Sequence, residues 1–101
     1  MTTAEDVEWR PVLGYEDKYE VSTDGAVRSL SSGKELAQWT NNCGYLLTTL
    51  TAKGEGTNYL IHRLVAQAFI PNPDAKATVD HINHRRDDNR LSNLRWATHK
   101  E

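Results

Sequence analysis

The sequence is poor in the residues that stabilise small domains covalently, since Cys43 is the only cysteine among 101 residues. An internal disulfide is therefore excluded, and so are zinc sites built from paired cysteines. A chain of this length then depends on one modest apolar core for its stability. We expect one domain, or one small core with an attached module, in a reducing compartment.

Long apolar runs are also missing, and no stretch approaches the roughly 18 residues that cross a bilayer. The acidic N-terminus does not resemble a signal peptide. We therefore expect no membrane partner and a cytoplasmic location. Residues 1–7 are polar and offer little surface to bury, so we expect a flexible N-terminus there.

An excess of positive charge is the third missing feature, since the formal net charge is −2. The charges are unevenly distributed: residues 1–24 carry seven acidic and two basic residues, whereas ten basic and seven acidic residues follow from Gly25 onward. The second part can present a positive surface to a nucleic acid. An ordinary solvated surface explains the same composition equally well, so charge alone does not identify a partner.

The first 60 residues show the alternation that is typical of short strands separated by turns. Asp24-Gly25 predicts a tight hairpin turn between two of these runs. We expect a β-meander, with Trp9 and Trp39 in its core. Its predicted segments are Glu8–Val12, Gly14–Ser22, Ala26–Leu30, Glu35–Trp39, Tyr45–Thr51 and Thr57–Ile61.

The apolar spacing then changes to that of a helix. Leu64, Val65, Ala68 and Phe69 fall on one helical face, and Ile70-Pro71 ends the pattern because proline cannot continue a helix. We expect a short helix packed on the sheet.

Two apolar runs near the C-terminus flank a polar loop. Ala77–Val79 leads into Asp80-His81, and Leu94–Ala97 alternates like a half-buried strand. Neighbours on a regular strand point to opposite faces, so Asp80 and His81 serve one site only if their strand twists or ends there. Thr98-x-x-Glu101 is a capping box, which predicts the start of a helix.

With this order of strand, loop, strand and helix, the sequence resembles the HNH nuclease family. The resemblance is carried by Val79-Asp80-His81-Ile82, Asn89-Arg90 and Ser92-Asn93-Leu94-Arg95-Trp96, and by the lead-in segment His62–Ile70. It implies a ββα-metal (His-Me finger) core, with His81 as the first His of the family name and Asn93 as its Asn. The third member would fall one residue beyond Glu101, which implies a truncated C-terminal helix.

The N-terminal segment is similar to the NUMOD-type modules that accompany such nucleases. The similarity is carried by Trp9, Gly14-Tyr15, Tyr19-x-Val21-Ser22, Gly25 and Val27-Arg28-Ser29-Leu30. It implies DNA binding by residues 8–60. Arg28 on the hairpin is the candidate phosphate contact, because a guanidinium can bind a phosphate through two hydrogen bonds. An ordinary surface arginine is the alternative interpretation.

Hydrolysis of a DNA phosphodiester needs a base that activates water and a cation that offsets charge on the phosphate and the leaving oxygen. A neutral imidazole can take the proton, which makes His81 the candidate general base. Asp80 supplies a hard carboxylate oxygen that suits Mg²⁺ or Mn²⁺. We expect Asn93 to hold the loop and orient His81, and Asn89 to support the far side of the loop.

Three arginines of the loop, Arg85, Arg86 and Arg90, are candidates to contact the DNA backbone. His62 has no acidic partner at ligand spacing, and we interpret it as a structural residue. His84 is interpreted as an exposed loop histidine or, at most, a phosphate contact.

Together these features predict an α+β protein, with an antiparallel β-rich module at residues 8–60 and an HNH core at residues 61–101. The predicted function is metal-dependent cleavage of double-stranded DNA, by nicking, in a bacterial or phage-infected cell. A monomer is expected, and a dimer is compatible with the sequence. The alternatives are a DNA-binding module whose truncated core does not cut, and a protein-interaction domain that uses the meander.

Overall fold

The computed structural model of the protein describes residues 7–98. Within this range the chain forms eight strands and one α-helix, arranged as three small antiparallel sheets around the helix. The elements are β1 (Trp9–Pro11), β2 (Tyr19–Ser22), β3 (Val27–Ser29), β4 (Trp39–Thr40), β5 (Leu46–Ala52), β6 (Glu55–Leu60), α1 (Ile61–Phe69), β7 (Thr78–His81) and β8 (Leu94–Ala97). The predicted α+β class is confirmed.

The first sheet has the order β1-β2-β3, with β1 at its edge. Pro11 lies on that edge strand, where a missing backbone donor costs least. The predicted hairpin joins β2 to β3, and Val21 faces Val27 across it. Gly25 has a φ of +85° in the turn, a backbone conformation that glycine adopts without steric cost.

The second sheet has the order β4-β5-β6 and is dominated by the β5–β6 hairpin. Lys53 and Gly54 form its turn with φ values of +54° and +80°, as a two-residue hairpin of the type I′ kind requires. The predicted strand at Glu35–Trp39 is wrong in extent. Only Trp39–Thr40 pairs as a strand, and Glu35 makes an isolated bridge to Arg28.

Helix α1 lies at the centre of the fold and contacts strands of all three sheets. Its buried face includes Ile61, Leu64 and Val65. The backbone N–H of Ile70 donates the last bond, to Ala66, and Pro71 then prevents a further turn, as predicted. This nine-residue helix is too short to cross a membrane, and no other helix of residues 7–98 is long enough either.

The third sheet consists of β7 and β8, which pair with Asp80 opposite Arg95 and His81 opposite Leu94. Residues 82–90 and a short 3-10 helix, Leu91–Asn93, connect the two strands. The two predicted strands of the C-terminal stretch are therefore present. The predicted helix would begin at Thr98 and continue through residues 99–101, which lie outside the described residues. Residues 1–6 of the predicted flexible N-terminus lie outside them as well.

One apolar core draws on both sides of the predicted boundary at residue 60. Its buried members are Val12, Val21, Val27 and Leu50 from the N-terminal segment, and Ile61, Leu64, Val65 and Leu94 from the C-terminal one. The positions predicted for two tryptophans are wrong. Trp39 is 41% exposed because it lies on a two-residue edge strand, and Trp9 lies half-buried under Arg28 outside the core.

Candidate active site

A polar cleft of about 200 Å³ opens where β7 ends. Asp80 and His81 both line it, although successive strand residues normally point to opposite faces. Strand β7 ends at His81, so the alternation stops at this pair. The other lining residues are Tyr45, Val79, His84 and Arg86. The cleft therefore collects side chains from the N-terminal segment, from β7 and from the loop that follows it.

The imidazole of His81 is held by the side chain of Asn89. Its Nε2 lies 2.7 Å from Asn89 Oδ1, and both residues are about 95% buried. An amide oxygen only accepts hydrogen bonds, so Nε2 must carry the proton. In the neutral ring the other nitrogen, Nδ1, is then an acceptor. The contact therefore selects the tautomer in which Nδ1 can take a proton.

Two further rings pack against His81 inside the protein. The centroid of the His62 ring lies 4.9 Å away, and that of Tyr45 lies 5.9 Å away. Burial, and to a smaller extent the electrostatic effects of His81 and Arg63, lower the pKa of His62 from 6.5 to about 4. His62 is therefore neutral at pH 7 and adds no charge beside His81.

Asp80 faces Arg95 across the β7–β8 pair. Arg95 Nε and Nη2 lie 3.1 Å and 3.0 Å from the same carboxylate oxygen, Oδ2. Among residues 7–98, Oδ1 accepts no hydrogen bond, and Asp80 lines the cleft. One oxygen is thus held by the protein while the other remains available to a ligand.

This carboxylate fits a hard cation such as Mg²⁺, which binds few protein oxygens and keeps several waters. Within the part of the chain that the structure describes, no group of three or more His, Cys, Asp or Glu side chains converges as a complete metal site. Asp80 is the residue that would hold the ion from this part of the chain.

The loop between β7 and β8 is fixed by Asn93. Its Oδ1 accepts from the backbone N–H of Asn83 at 3.0 Å, and its Nδ2 donates to the Asn83 side chain and the Asp88 carbonyl, both at 2.9 Å. Asn93 thus bonds to the loop, and Asn89 is the asparagine that bonds to His81. His84 has a φ of +66°, an uncommon value for a residue other than glycine, at the point where the chain turns back.

The four predicted DNA-contacting arginines occupy different environments. Arg28 donates to Glu20 at 3.0 Å and 2.7 Å and lies 4.0 Å from the Trp9 ring, so its guanidinium is already engaged. Arg90 donates two bonds of 2.8 Å to Asp88. These contacts hold the pKa of Asp88 well below its usual range and neutralise the pair.

The other two arginines are less strongly paired with acidic residues. The Arg85 side chain is largely exposed, and among residues 7–98 its guanidinium contacts only Asp87, at 3.7 Å. Arg86 lines the cleft, lies 5.1 Å from the Tyr45 ring and donates to the Cys43 carbonyl at 2.6 Å. It therefore connects the loop to the N-terminal segment while its charge lies beside Asp80 and His81.

Three residues of the cleft region were missed or placed elsewhere by the sequence analysis: Tyr45, His62 and Arg95. Arg95 could have been found, because the strand that contains it pairs with the strand of Asp80 once a register is assumed. Tyr45 and His62 carry no sequence signal that links them to His81. Their contact depends on how β5 and α1 pack.

In this β-hairpin one strand ends in Asp-His, and asparagines hold the connecting loop. That arrangement is the one that HNH-type nuclease domains have. Comparison with known families supports this assignment. The HNH endonuclease family model matches residues 59–101, and the NUMOD4 motif matches residues 8–51. The chain therefore contains an HNH endonuclease domain, preceded by a NUMOD4 motif.

The chain is homologous to DNA endonuclease I-HmuI of Bacillus phage SP01, with 39% identity over 93% of this chain and 54% of the relative. A solved structure of I-HmuI, described as DNA binding and cleavage by an HNH homing endonuclease, matches with a TM-score of 0.84 over 92% of this chain and 53% of that chain. The H-N-H endonuclease F-TflII of Escherichia phage T5 is 30% identical over 76% of this chain and 41% of its own length. The chain thus spans about half the length, or less, of these relatives.

Proposed function

We propose that this chain is a metal-dependent DNA endonuclease that nicks one strand of double-stranded DNA. The arrangement of His81 carries the proposal, because a buried amide fixes its Nε2 proton while the residue lines a polar cleft beside a carboxylate. A base in a fixed tautomer next to a ligand for a cation is what phosphodiester hydrolysis requires. The match of residues 59–101 to the HNH endonuclease model supports the same reaction.

In the proposed mechanism, His81 Nδ1 accepts a proton from the attacking water. Asn89 keeps the Nε2 proton in place, so the ring gains its proton at Nδ1 alone. Asn93 keeps the loop in the conformation that brings Asn89 to His81. Asp80 would hold a divalent ion, which offsets negative charge on the phosphate and the leaving oxygen when bound.

We place the DNA phosphates along the loop that follows β7. Arg85 and Arg86 supply positive charge there, and Arg86 lies at the cleft itself. Arg28 belongs to a separate sheet and is proposed as an additional contact of the N-terminal segment. Phage relatives support action in the cytoplasm of a bacterial or phage-infected cell. A monomer with one site is the proposed acting form.

A plasmid-nicking assay tests the proposal. The chain is incubated with supercoiled DNA and Mg²⁺ or Mn²⁺, beside His81→Ala and Asp80→Ala, and DNA binding is measured on the same samples. We expect nicking that needs the metal and is lost in both variants, with binding retained. Binding without nicking in the wild-type chain would instead support the alternative, a DNA-binding module that does not cut.

A further inference from the structure

The turn that joins β2 to β3 contacts the loop that carries Asn89. Gly25 is buried in this turn, and a Cβ built on it would lie 3.0 Å from Asn89 Cβ and 3.1 Å from the Asn89 carbonyl oxygen. Real Cβ atoms rarely come this close to other heavy atoms. The backbone of the turn therefore packs directly on Asn89, and a side chain at position 25 would require Asn89 to shift by a few tenths of an ångström.

Hydrogen bonds fix the turn in this position. The Thr23 carbonyl accepts from the backbone N–H of Leu91 at 2.8 Å, two residues beyond Asn89. The Gly25 carbonyl accepts from Gln38 Nε2 at 2.9 Å. The turn is thus held between the 3-10 helix and the segment that leads to β4, and it supports Asn89 from the side of the N-terminal sheet.

Asn89 in turn reaches His81. Its Oδ1 lies 2.7 Å from His81 Nε2, while its Nδ2 has no partner among residues 7–98. The close contact with Gly25 involves Asn89 Cβ and the Asn89 carbonyl oxygen, so the turn fixes where the backbone and Cβ of Asn89 lie. From that fixed point the side chain reaches His81, and its 2.7 Å contact with Nε2 sets the direction of the amide.

We propose that the Thr23–Gly25 turn of the NUMOD4 segment is a positioning element of the active site. The turn fixes the position of Asn89 and thereby holds the His81 ring in the tautomer and orientation in which Nδ1 accepts a proton. The inference rests on the proposed function, and it adds a role to a segment otherwise assigned to DNA binding. Gly25 and Asn89 are positioning residues, since both act on the reaction through His81.

The fold supplies a matched pair of glycines for the test. Gly14 and Gly25 have φ values of +87° and +85°, so an alanine at either position is strained to the same degree. A Cβ at Gly14 meets nothing within 4 Å, whereas one at Gly25 meets Asn89. The difference between Gly14→Ala and Gly25→Ala therefore reports the contact with Asn89 rather than the backbone strain.

Two readouts separate positioning from general destabilisation. The first is the tautomer of His81, observed by ¹⁵N NMR of the imidazole in the absence of metal and DNA, with His81→Gln used to assign the signal. The second is the split between kcat and KM in the nicking assay. Wild type and Gly14→Ala should show the Nε2-protonated ring. Gly25→Ala should show a mixed or exchanging signal.

We expect Gly25→Ala to lower kcat by about tenfold to a hundredfold with KM for DNA little changed, because small displacements of a reacting group have effects of that size. Gly14→Ala should change kcat by less than about twofold. If Gly25→Ala does not fold, Gln38→Leu releases the turn without a clash, and a shifted His81 signal in that variant supports the proposal.

An unchanged tautomer and a kcat equal to that of Gly14→Ala would overturn the inference. The NMR readout also keeps it distinct from the proposed function. If Gly25→Ala changes the His81 signal and no variant nicks DNA, the nuclease assignment fails and the positioning by the turn stands.

Discussion

The rings of His62 and His81 lie against each other inside the protein, with centroids 4.9 Å apart, and Tyr45 completes the group at 5.1 Å from His62. His62 is only 5% exposed, and its Nδ1 has no hydrogen-bond partner among the described residues. A charged ring at this position would be unpaired and close to a second histidine, so the folded state favours the neutral form.

This packing predicts how stability depends on pH. The pKa of His62 is about 4 in the folded protein and near 6.5 when unfolded, so the unfolded chain binds the extra proton between these values. The free energy of unfolding should therefore fall as the pH drops from about 6.5 to 4, by up to about 3 kcal/mol from this residue. Urea unfolding at pH 7.5, 6.0 and 5.0 measures it.

His62→Phe keeps a ring in the group and removes the titration. Its free energy of unfolding should decline less than that of wild type over the same pH range. If the two proteins lose stability in parallel, His62 is not the group responsible.

A second prediction distinguishes two of the proposed DNA-contacting arginines. Arg85 is exposed and weakly paired, whereas two of the three guanidinium nitrogens of Arg90, Nε and Nη2, donate to Asp88. An arginine that neutralises one phosphate contributes about one unit to the slope of log affinity against log salt. Arg85→Gln should reduce that slope by about one, and Arg90→Gln should leave it nearly unchanged.

Fluorescence anisotropy with a DNA duplex at several salt concentrations measures both slopes. Asp88→Asn provides the complementary variant, because it weakens the hold on Arg90 and should steepen the slope. Equal reductions of the salt-dependence slope in Arg85→Gln and Arg90→Gln would mean that Arg90 leaves Asp88 to bind DNA.

The stability of the fold should depend on the core that both segments share. Leu50 on β5 is completely buried in it, while Leu13 is 65% exposed. Leu50→Ala removes buried methyl groups and leaves a cavity, so we expect a loss of about 2–5 kcal/mol. Leu13→Ala is the matched control and should change the free energy of unfolding by less than about 0.5 kcal/mol. Equal effects in denaturant titrations would contradict the assigned core.

Local patterns in the sequence were enough for most of the fold. Alternation located most of the strands, although not the extent of the one predicted at Glu35–Trp39. Asp24-Gly25 located the first hairpin turn, and Pro71 marked the end of the helix. Each of these signals depends on neighbouring residues, and each was recovered. Trp39 was misplaced because its burial depends on what covers β4, which no local pattern encodes.

Only the part of the candidate site that lies within one motif could be predicted from the sequence. Asp80, His81 and the two asparagines lie within a short stretch, and the structure brings them together. Which asparagine bonds to His81 and which bonds to the loop depends on the conformation of the loop, so the sequence alone did not separate Asn89 from Asn93. The contacts of His81 with His62 and of Asn89 with Gly25 join residues far apart in the chain, so they follow from packing alone.

The last prediction concerns the competition between Arg95 and a divalent ion for the carboxylate of Asp80. Arg95 places a positive charge 3.0 Å from Asp80 Oδ2, and a divalent ion on the same carboxylate would be repelled by that charge. Arg95→Gln removes the charge and keeps a hydrogen-bond donor for Oδ2. We therefore expect this variant to bind Mn²⁺ more tightly than wild type, by about three- to tenfold, since a charge near a partly exposed site is worth about 1 kcal/mol.

Calorimetric titration of Mn²⁺ into the protein without DNA measures the affinity directly. Arg10→Gln removes an exposed arginine of β1 and serves as the charge control, because it changes the net charge equally without touching Asp80. Asp80→Asn should abolish the binding that Arg95→Gln strengthens. Weaker binding in Arg95→Gln would show the opposite role for this arginine: its two contacts would then hold the carboxylate in the orientation that the ion needs, and that gain would exceed the repulsion.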